Sequence, residues 1–443
     1  MNTLIPAALL GAGFIAVLPL TAMAEVQIQE VTSPLGIHAW LVEEPANPFV
    51  ALEIRLRPGT VLDAPGKRGA TNLMVALLEE GAGEMDATAY AEALEGMGAS
   101  FGFASGDDAI SISARMLTEN RDEAAALLRL ALTAPRFDET ALERVRGQVL
   151  AGIDADAVRP GSLASEAFYA AAYPDHPYGT SDSGTRESVT ALTRDDILEA
   201  HLNALTRQDV YVGAVGDISA EELGALLDDI LGDLPATGPH GAERVPFGLT
   251  EGVTVIDFDT PQSVALFGQT GITRDDPRYF AAYIVNHILG DGMESRLMQE
   301  VREKRGLTYG IGTYLAPRDL SEMVVGSFSS SNAAMAEAIG VVKAEWAKLA
   351  QDGITQEELD LAKTYLTGEY PLRFSGNGQI ADILVGMQMV DLPPDYVIHR
   401  NDYIEAVTLE QANRIAAEIY RPDALHFVVV GRPEGLSDTP KAE

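Results

Sequence analysis

Arg302 and Tyr309, seven positions apart, offer the plainest chemistry in the chain. A guanidinium carries five N–H donors and a phenol one O–H. Aimed at one point, the two can hold a peptide carbonyl or the oxyanion made from it. Both also have ordinary uses, the arginine as a cation suited to a helix's last turn and the tyrosine as a strand aromatic. The elements around them decide whether they can act together. In the stretch from Ile288 to Tyr314, an apolar helix (Ala281 to Leu289) breaks at Gly290-Asp291-Gly292. An amphipathic helix is predicted from about Met293 to Lys304, with Leu297, Met298 and Val301 on one face. Gly306 stops it, and a strand is expected from about Thr308. That reading puts Arg302 in a helix's last turn and Tyr309 at a strand's first residues, around a tight glycine turn.

The run SRLMQEVREKRGLTYGIGTYL resembles the C-terminal half signature of the pitrilysin/insulinase family of zinc peptidases. The resemblance extends from about Val26 to Pro433. It implies that Arg302 and Tyr309 help bind substrate and stabilise a tetrahedral intermediate. Peptidases of this family carry H-x-x-E-H on the first helix of the N-terminal half, two histidines binding zinc and the glutamate activating the metal-bound water. Here the matching segment is GATNLMVALLEEGAG, and the three positions fall on Asn72, Val75 and Ala76. An amide, an isopropyl and a methyl group cannot replace two imidazoles and a carboxylate. Ala151 and Gly152 stand where the family's third ligand is expected. The strand from Ser100 through Phe101, Gly102 and Phe103 to Ala104 is a candidate sheet edge for an extended peptide, because strand addition uses backbone. Gly102-Phe103 replaces the family's usual Asn-Ala step there.

No substitute metal site is visible. The seven histidines are isolated, with no two three or four positions apart, and His287 near Asp291 reads as a helix histidine. Glu79 and Glu80 follow the degenerate helix and read as its solvated end. Gly310-Ile-Gly312 lacks the strand-turn-helix setting of a phosphate loop, and Ser329 to Ser331 lack a nucleophile-elbow context. The absence of cysteine excludes thiol nucleophiles, thiolate metal sites and disulfides. With 66 acidic against 31 basic side chains, the net charge of −35 argues against nucleic-acid and anionic-membrane partners. Met1 to Ala24 has an apolar run and Ala22-Met23-Ala24 before Glu25, a signal-peptide pattern although no basic residue precedes the run. Export to the periplasm is therefore expected, with an uncleaved anchor as the alternative.

The rest of the chain reads as one α/β unit written twice. VTALTRDDILEAHLNALTRQDVYVGAVG lies without gaps on IEAVTLEQANRIAAEIYRPDALHFVVVG, with Thr193 on Thr408 and Gly216 on Gly431, 215 positions apart in both cases. The expected fold is α+β, two duplicated halves, each a mainly antiparallel sheet with helices packed on one face. The halves are placed at 25–235 and 253–433, with a Pro/Gly-rich linker at 236–252 and a disordered tail at 434–443. The degenerate first half and the retained Arg302 and Tyr309 resemble two-subunit peptidases of the family. That implies a zinc-free chain acting on peptides beside an H-x-x-E-H sister subunit that carries the zinc. The alternative is a non-enzymatic assembly or peptide-binding protein of the same fold.

Overall fold

A computed structural model describes residues 27–438, so the expected signal segment lies outside the described residues. The first half runs β1 (Gln29–Thr32), β2 (His38–Glu43), β3 (Phe49–Arg57), α1 (Ala70–Ala76), β4 (Gly81–Ala82), β5 (Met85–Asp86), α2 (Ala87–Gly96), β6 (Ser100–Ser105) and β7 (Ile110–Leu117). It continues through α3 (Arg121–Thr133), α4 (Glu139–Asp156), α5 (Pro160–Ala172), α6 (Arg186–Ala191), α7 (Arg194–Ala204), β8 (Asp209–Gly216) and α8 (Ala220–Leu231). The second half runs β9 (Gly252–Asp257), β10 (Gln262–Thr270), α9 (Tyr279–Gly290), β11 (Ile311–Arg318) and β12 (Ser321–Ser331). Then follow α10 (Met335–Asp352), α11 (Gln356–Glu369), α12 (Asn377–Met389), α13 (Tyr396–Glu405), α14 (Leu409–Ile419) and β13 (His426–Gly431).

The repeat is realised locally as well as globally. Thr193 and Thr408 each close a capping box at the start of α7 and α14, satisfying orphan N–H groups in the same way. Gly216 and Gly431 end β8 and β13 with φ of +146° and +150°, which a side chain would resist. The first sheet has six strands in the order β1-β2-β8-β3-β7-β6 and the second five in the order β11-β12-β10-β13-β9. Each is antiparallel except for one parallel pair that closes the half, β2 with β8 and β13 with β9. One face of each sheet packs on its own helices. Leu41, Leu52, Val212 and Ala214 lie in the first core, and Ala265, Phe267, Phe427 and Val429 in the second.

The other face of each sheet is covered by a helix from the opposite half, which sequence periodicity does not show. α5 of the first half crosses β10 and β13, and α12 of the second crosses β8 and β3. Strand alternation makes this possible, since Val215 and Val428 point away from their own cores, toward Leu384 and Phe168 respectively. Glycines permit the close approach. A Cβ at Gly268 would lie 3.0 Å from the Phe168 ring, and one at Gly213 would collide with the Ala381 carbonyl.

A second junction joins the turn after β6 to the turn after β11. Arg318 pairs with Asp107 and lies 3.4 Å over the Tyr178 ring, and Asp107 also takes Arg68 at 2.6 Å. The Tyr178 hydroxyl donates to Asp108 and accepts the Leu320 N–H at 3.1 Å, while Arg57 reaches Asp319 at 2.7 Å. The expected linker is no free tether, for Phe247 is buried with α5 and the Gly248 N–H donates to the Ala172 carbonyl at 2.9 Å. The start of the expected disordered tail is also held, because Asp438 accepts the Val255 N–H at 2.6 Å and Leu436 packs on the second core.

Candidate functional site

Arg302 and Tyr309 sit on the two sides of a short connection. After α9 ends, Gly292 takes φ +107° and the Ser295 hydroxyl donates to its carbonyl at 2.7 Å, so the next helix begins at Arg296 rather than Met293. Its last turns, Met298–Glu303, are wound wide as a π-helix, with Leu297, Met298 and Val301 buried in the second core. Arg302 is in the final turn, as expected, with its side chain 36 % exposed. Among the described residues its guanidinium has loose contacts only, to the Met293 sulfur and to Glu303, each at 3.5 Å. The neighbouring Lys304 and Arg305 both go to Glu300 at 2.5 Å, and together they pull that carboxyl below its usual range.

Tyr309 departs from its expected place. β11 begins at Ile311, not Thr308, so the tyrosine lies in the loop before the strand. The cause is the Thr308 hydroxyl, which accepts the Gly310 N–H at 3.1 Å and so takes a donor that a longer strand would use. The ring is 86 % exposed, and its hydroxyl has no hydrogen-bond partner among the described residues. The loop backbone beneath it is nonetheless tied down. The Gly306 N–H donates to the Arg302 carbonyl at 2.8 Å, the Leu307 N–H to the Val301 carbonyl at 2.9 Å, and the Ser330 hydroxyl to the Leu307 carbonyl at 2.6 Å. Buried Asn286 fixes α9 to β11 through Thr313, with bonds of 3.1 and 3.0 Å. Sequence reading missed Thr308, Ser330 and Asn286, and the available signal was polar residues at positions whose periodicity is apolar.

The degenerate metal positions lie on α1. Asn72 donates to the Ser105 hydroxyl at 2.9 Å, Val75 is buried and Ala76 is exposed. Ala151 and Gly152 are exposed on α4 and offer no ligand. These side chains do not fit zinc, and among the described residues no group of three or more metal-capable side chains converges. Glu80 is not merely solvated, since it pairs with Arg144 of α4. His287 stacks on Tyr365 with ring centres 5.0 Å apart and meets Asp291 at 3.3 Å, closing the end of α9.

β6 is an edge strand, hydrogen-bonded to β7 on one side only. Ser100 and Ala104 are exposed, while Phe101, Gly102 and Phe103 are half-buried. Asn72 therefore joins α1 to the end of this edge. β11, which follows Tyr309, is the edge of the second sheet.

A duplicated α/β unit whose first-half helix carries no metal ligands, with an exposed arginine and tyrosine in the second half, has the form of a metallopeptidase-type chain with no metal site among the described residues. Comparisons with known proteins agree. Residues 39–186 match the family model described as insulinase (peptidase family M16), and residues 191–366 the one described as the peptidase M16 inactive domain. The chain belongs to this insulinase, or pitrilysin, family. It is 26 % identical over 389 residues to the "non-peptidase homolog YmxG" of Helicobacter pylori, covering 86 % of this chain and 89 % of that one. It is 23 % identical over 406 residues to the "uncharacterized zinc protease YmxG" of Bacillus subtilis, covering 89 % and 96 %. Among solved structures it resembles the peptidase M16 inactive domain from Pseudomonas fluorescens, with a TM-score of 0.83, 29 % identity, and coverage of 93 % of this chain and 100 % of that one. A protease from Helicobacter pylori shares the fold at a TM-score of 0.82 and 16 % identity, covering 92 % and 100 %.

Proposed function

We propose that this chain is the zinc-free subunit of a two-chain peptidase, working in the periplasm after removal of Met1 to Ala24. A sister subunit with an intact H-x-x-E-H helix supplies the metal and the activated water. This chain supplies Tyr309, whose phenol donates to the oxyanion formed at the scissile carbonyl, and Arg302, which holds a neighbouring substrate carbonyl. One observation carries the reading: both side chains stand ready for an outside partner, the phenol unpaired and the guanidinium only loosely held, in a chain whose own metal positions are Asn72, Val75 and Ala76. The edge strand β6 offers backbone for an extended peptide, with Ser100 and Ala104 on its open surface.

The test is hydrolysis of an unstructured peptide of about 20 residues, long enough to span an extended site, by the chain from Glu25 alone and mixed with a zinc-bearing sister. Silence alone and turnover on mixing support the shared site. Turnover by the chain alone refutes it. Silence in both favours the second reading, a peptide-binding or assembly protein, in line with the Helicobacter pylori relative being called a non-peptidase homolog.

A further inference from the structure

We propose that Thr308 is a positioning residue for Tyr309, and through it for the Arg302–Tyr309 pair; the proposal rests on the function given above. Glycines lie on both sides of the tyrosine. Gly306 has φ +63°, and Gly310 would meet nothing within 4 Å if it bore a Cβ, so neither fixes the chain by steric contact. Tyr309 itself, 86 % exposed, has no packing of its own to hold it. A segment built this way would ordinarily be loose.

One buried hydroxyl removes that freedom. Thr308 is 8 % exposed, and its Oγ1 lies 2.7 Å from the Ser329 carbonyl of β12, 2.8 Å from the Gly310 carbonyl and 3.1 Å from the Gly310 N–H. Its single proton goes to one of the two carbonyls, and a lone pair receives the Gly310 N–H. The residues before and after Tyr309 are thus gathered onto a single atom that is anchored to the sheet. The Cα–Cβ direction of the tyrosine then follows from the backbone alone. On the Arg302 side, the Gly306 N–H bonded to the Arg302 carbonyl and the Ser330 hydroxyl bonded to the Leu307 carbonyl finish the connection. The arginine and the tyrosine are therefore held to one frame, although no side-chain bond joins them.

The experiment compares Thr308→Val, which keeps the shape and removes the hydroxyl, with Thr308→Ser, which keeps the hydroxyl. In the free chain, amide exchange over residues 304–312 is expected to rise in Thr308→Val and to stay near wild type in Thr308→Ser. In the assembled pair, Thr308→Val is expected to lower kcat by about 10²-fold at most, the scale of a misplaced catalytic group, with KM little changed. Adding Tyr309→Phe to Thr308→Val should then cost much less than Tyr309→Phe costs alone, because both act on one group. A merely structural role would give losses that multiply. The proposal is overturned by unchanged exchange in Thr308→Val, or by multiplying losses. It is also overturned by full turnover in Thr308→Val where Tyr309→Phe is impaired. If Tyr309→Phe alone keeps full turnover, the function assigned to the pair fails first, and the positioning role falls with it.

Discussion

Removing Asp107 should destabilise the protein more than removing Arg318, although the two face each other across the junction between halves. Arg318→Met leaves Asp107 with Arg68 at 2.6 Å, so no unpaired charge is created. What is lost is one ion pair between groups 19 % and 21 % exposed and a guanidinium stacked on Tyr178. Stacking of that kind contributes about 1–2 kcal/mol and the partly buried pair about 1 kcal/mol more, so the cost should be about 2–3 kcal/mol. Asp107→Ala instead removes the nearest carboxylate from two guanidinium groups. Arg68 keeps the carbonyls of Thr60, Pro177 and Thr180, but its other carboxylate, Asp63, is 3.9 Å away. The cost should approach the 3–5 kcal/mol typical of a broken buried pair. Urea unfolding can be read at two places, because Trp40 lies on β2 under α12 of the opposite half and Trp346 in the second core. With Trp40→Phe and Trp346→Phe backgrounds, both tryptophans should report one midpoint in the parent chain and a larger fall for Asp107→Ala than for Arg318→Met. Two separate midpoints in the parent, or the reverse order of the variants, would refute the interlocked junction.

Four further outcomes follow from the same structure. Tyr309→Phe should leave the unfolding midpoint within the ±0.5 kcal/mol of an ordinary surface change while lowering turnover of the assembled pair about 10²-fold; a loss of stability instead would show that the hydroxyl has a structural partner. Gly216→Ala and Gly431→Ala should each destabilise by more than the roughly 1 kcal/mol of a strained φ, because the new methyl groups collide with the Phe49 carbonyl and the Ser263 hydroxyl; equal midpoints in thermal melts would contradict this. Burial, opposed by Arg57, pushes the Asp319 carboxyl from 3.8 up to about 6, so its contribution is present below about pH 4 and lost as pH rises through about 6. Asp319→Asn should therefore gain on the parent in urea titrations across that window, and a constant difference would contradict the burial. Glu222 runs the other way: the Ser219 hydroxyl, then its N–H and Arg121, pull it from 4.5 to about 2, so its contribution is lost as pH falls from about 4.5 to about 2.

The duplication was legible because its signals are local. A threonine capping its own helix and a glycine at positive φ are written in a few adjacent residues, and Thr193/Thr408 and Gly216/Gly431 did so twice. α8 is written just as locally, with Ser219 and Glu222 forming a capping box before an amphipathic run. The exchange of α5 and α12 was not legible, because apolar residues along a helix do not say which sheet they will cover. At the site, Arg302 in a last turn followed from Gly306 downstream, whereas Tyr309 outside the strand depended on where one threonine proton acceptor points. Asn286 and Ser330 were hidden for the same reason, polar groups whose partners lie far along the chain.

The exchanged helices bear on how such a chain arose. A half-length ancestor with this unit would expose one face of its sheet, and the cheapest cover is the matching helix of a second copy. That is the arrangement the two halves keep, with α5 on β10 and β13 and α12 on β8 and β3. The connection through residues 236–252 lies outside both exchanged helices. Cutting the present chain in that segment should therefore yield two fragments that stay together, each finishing the other's sheet.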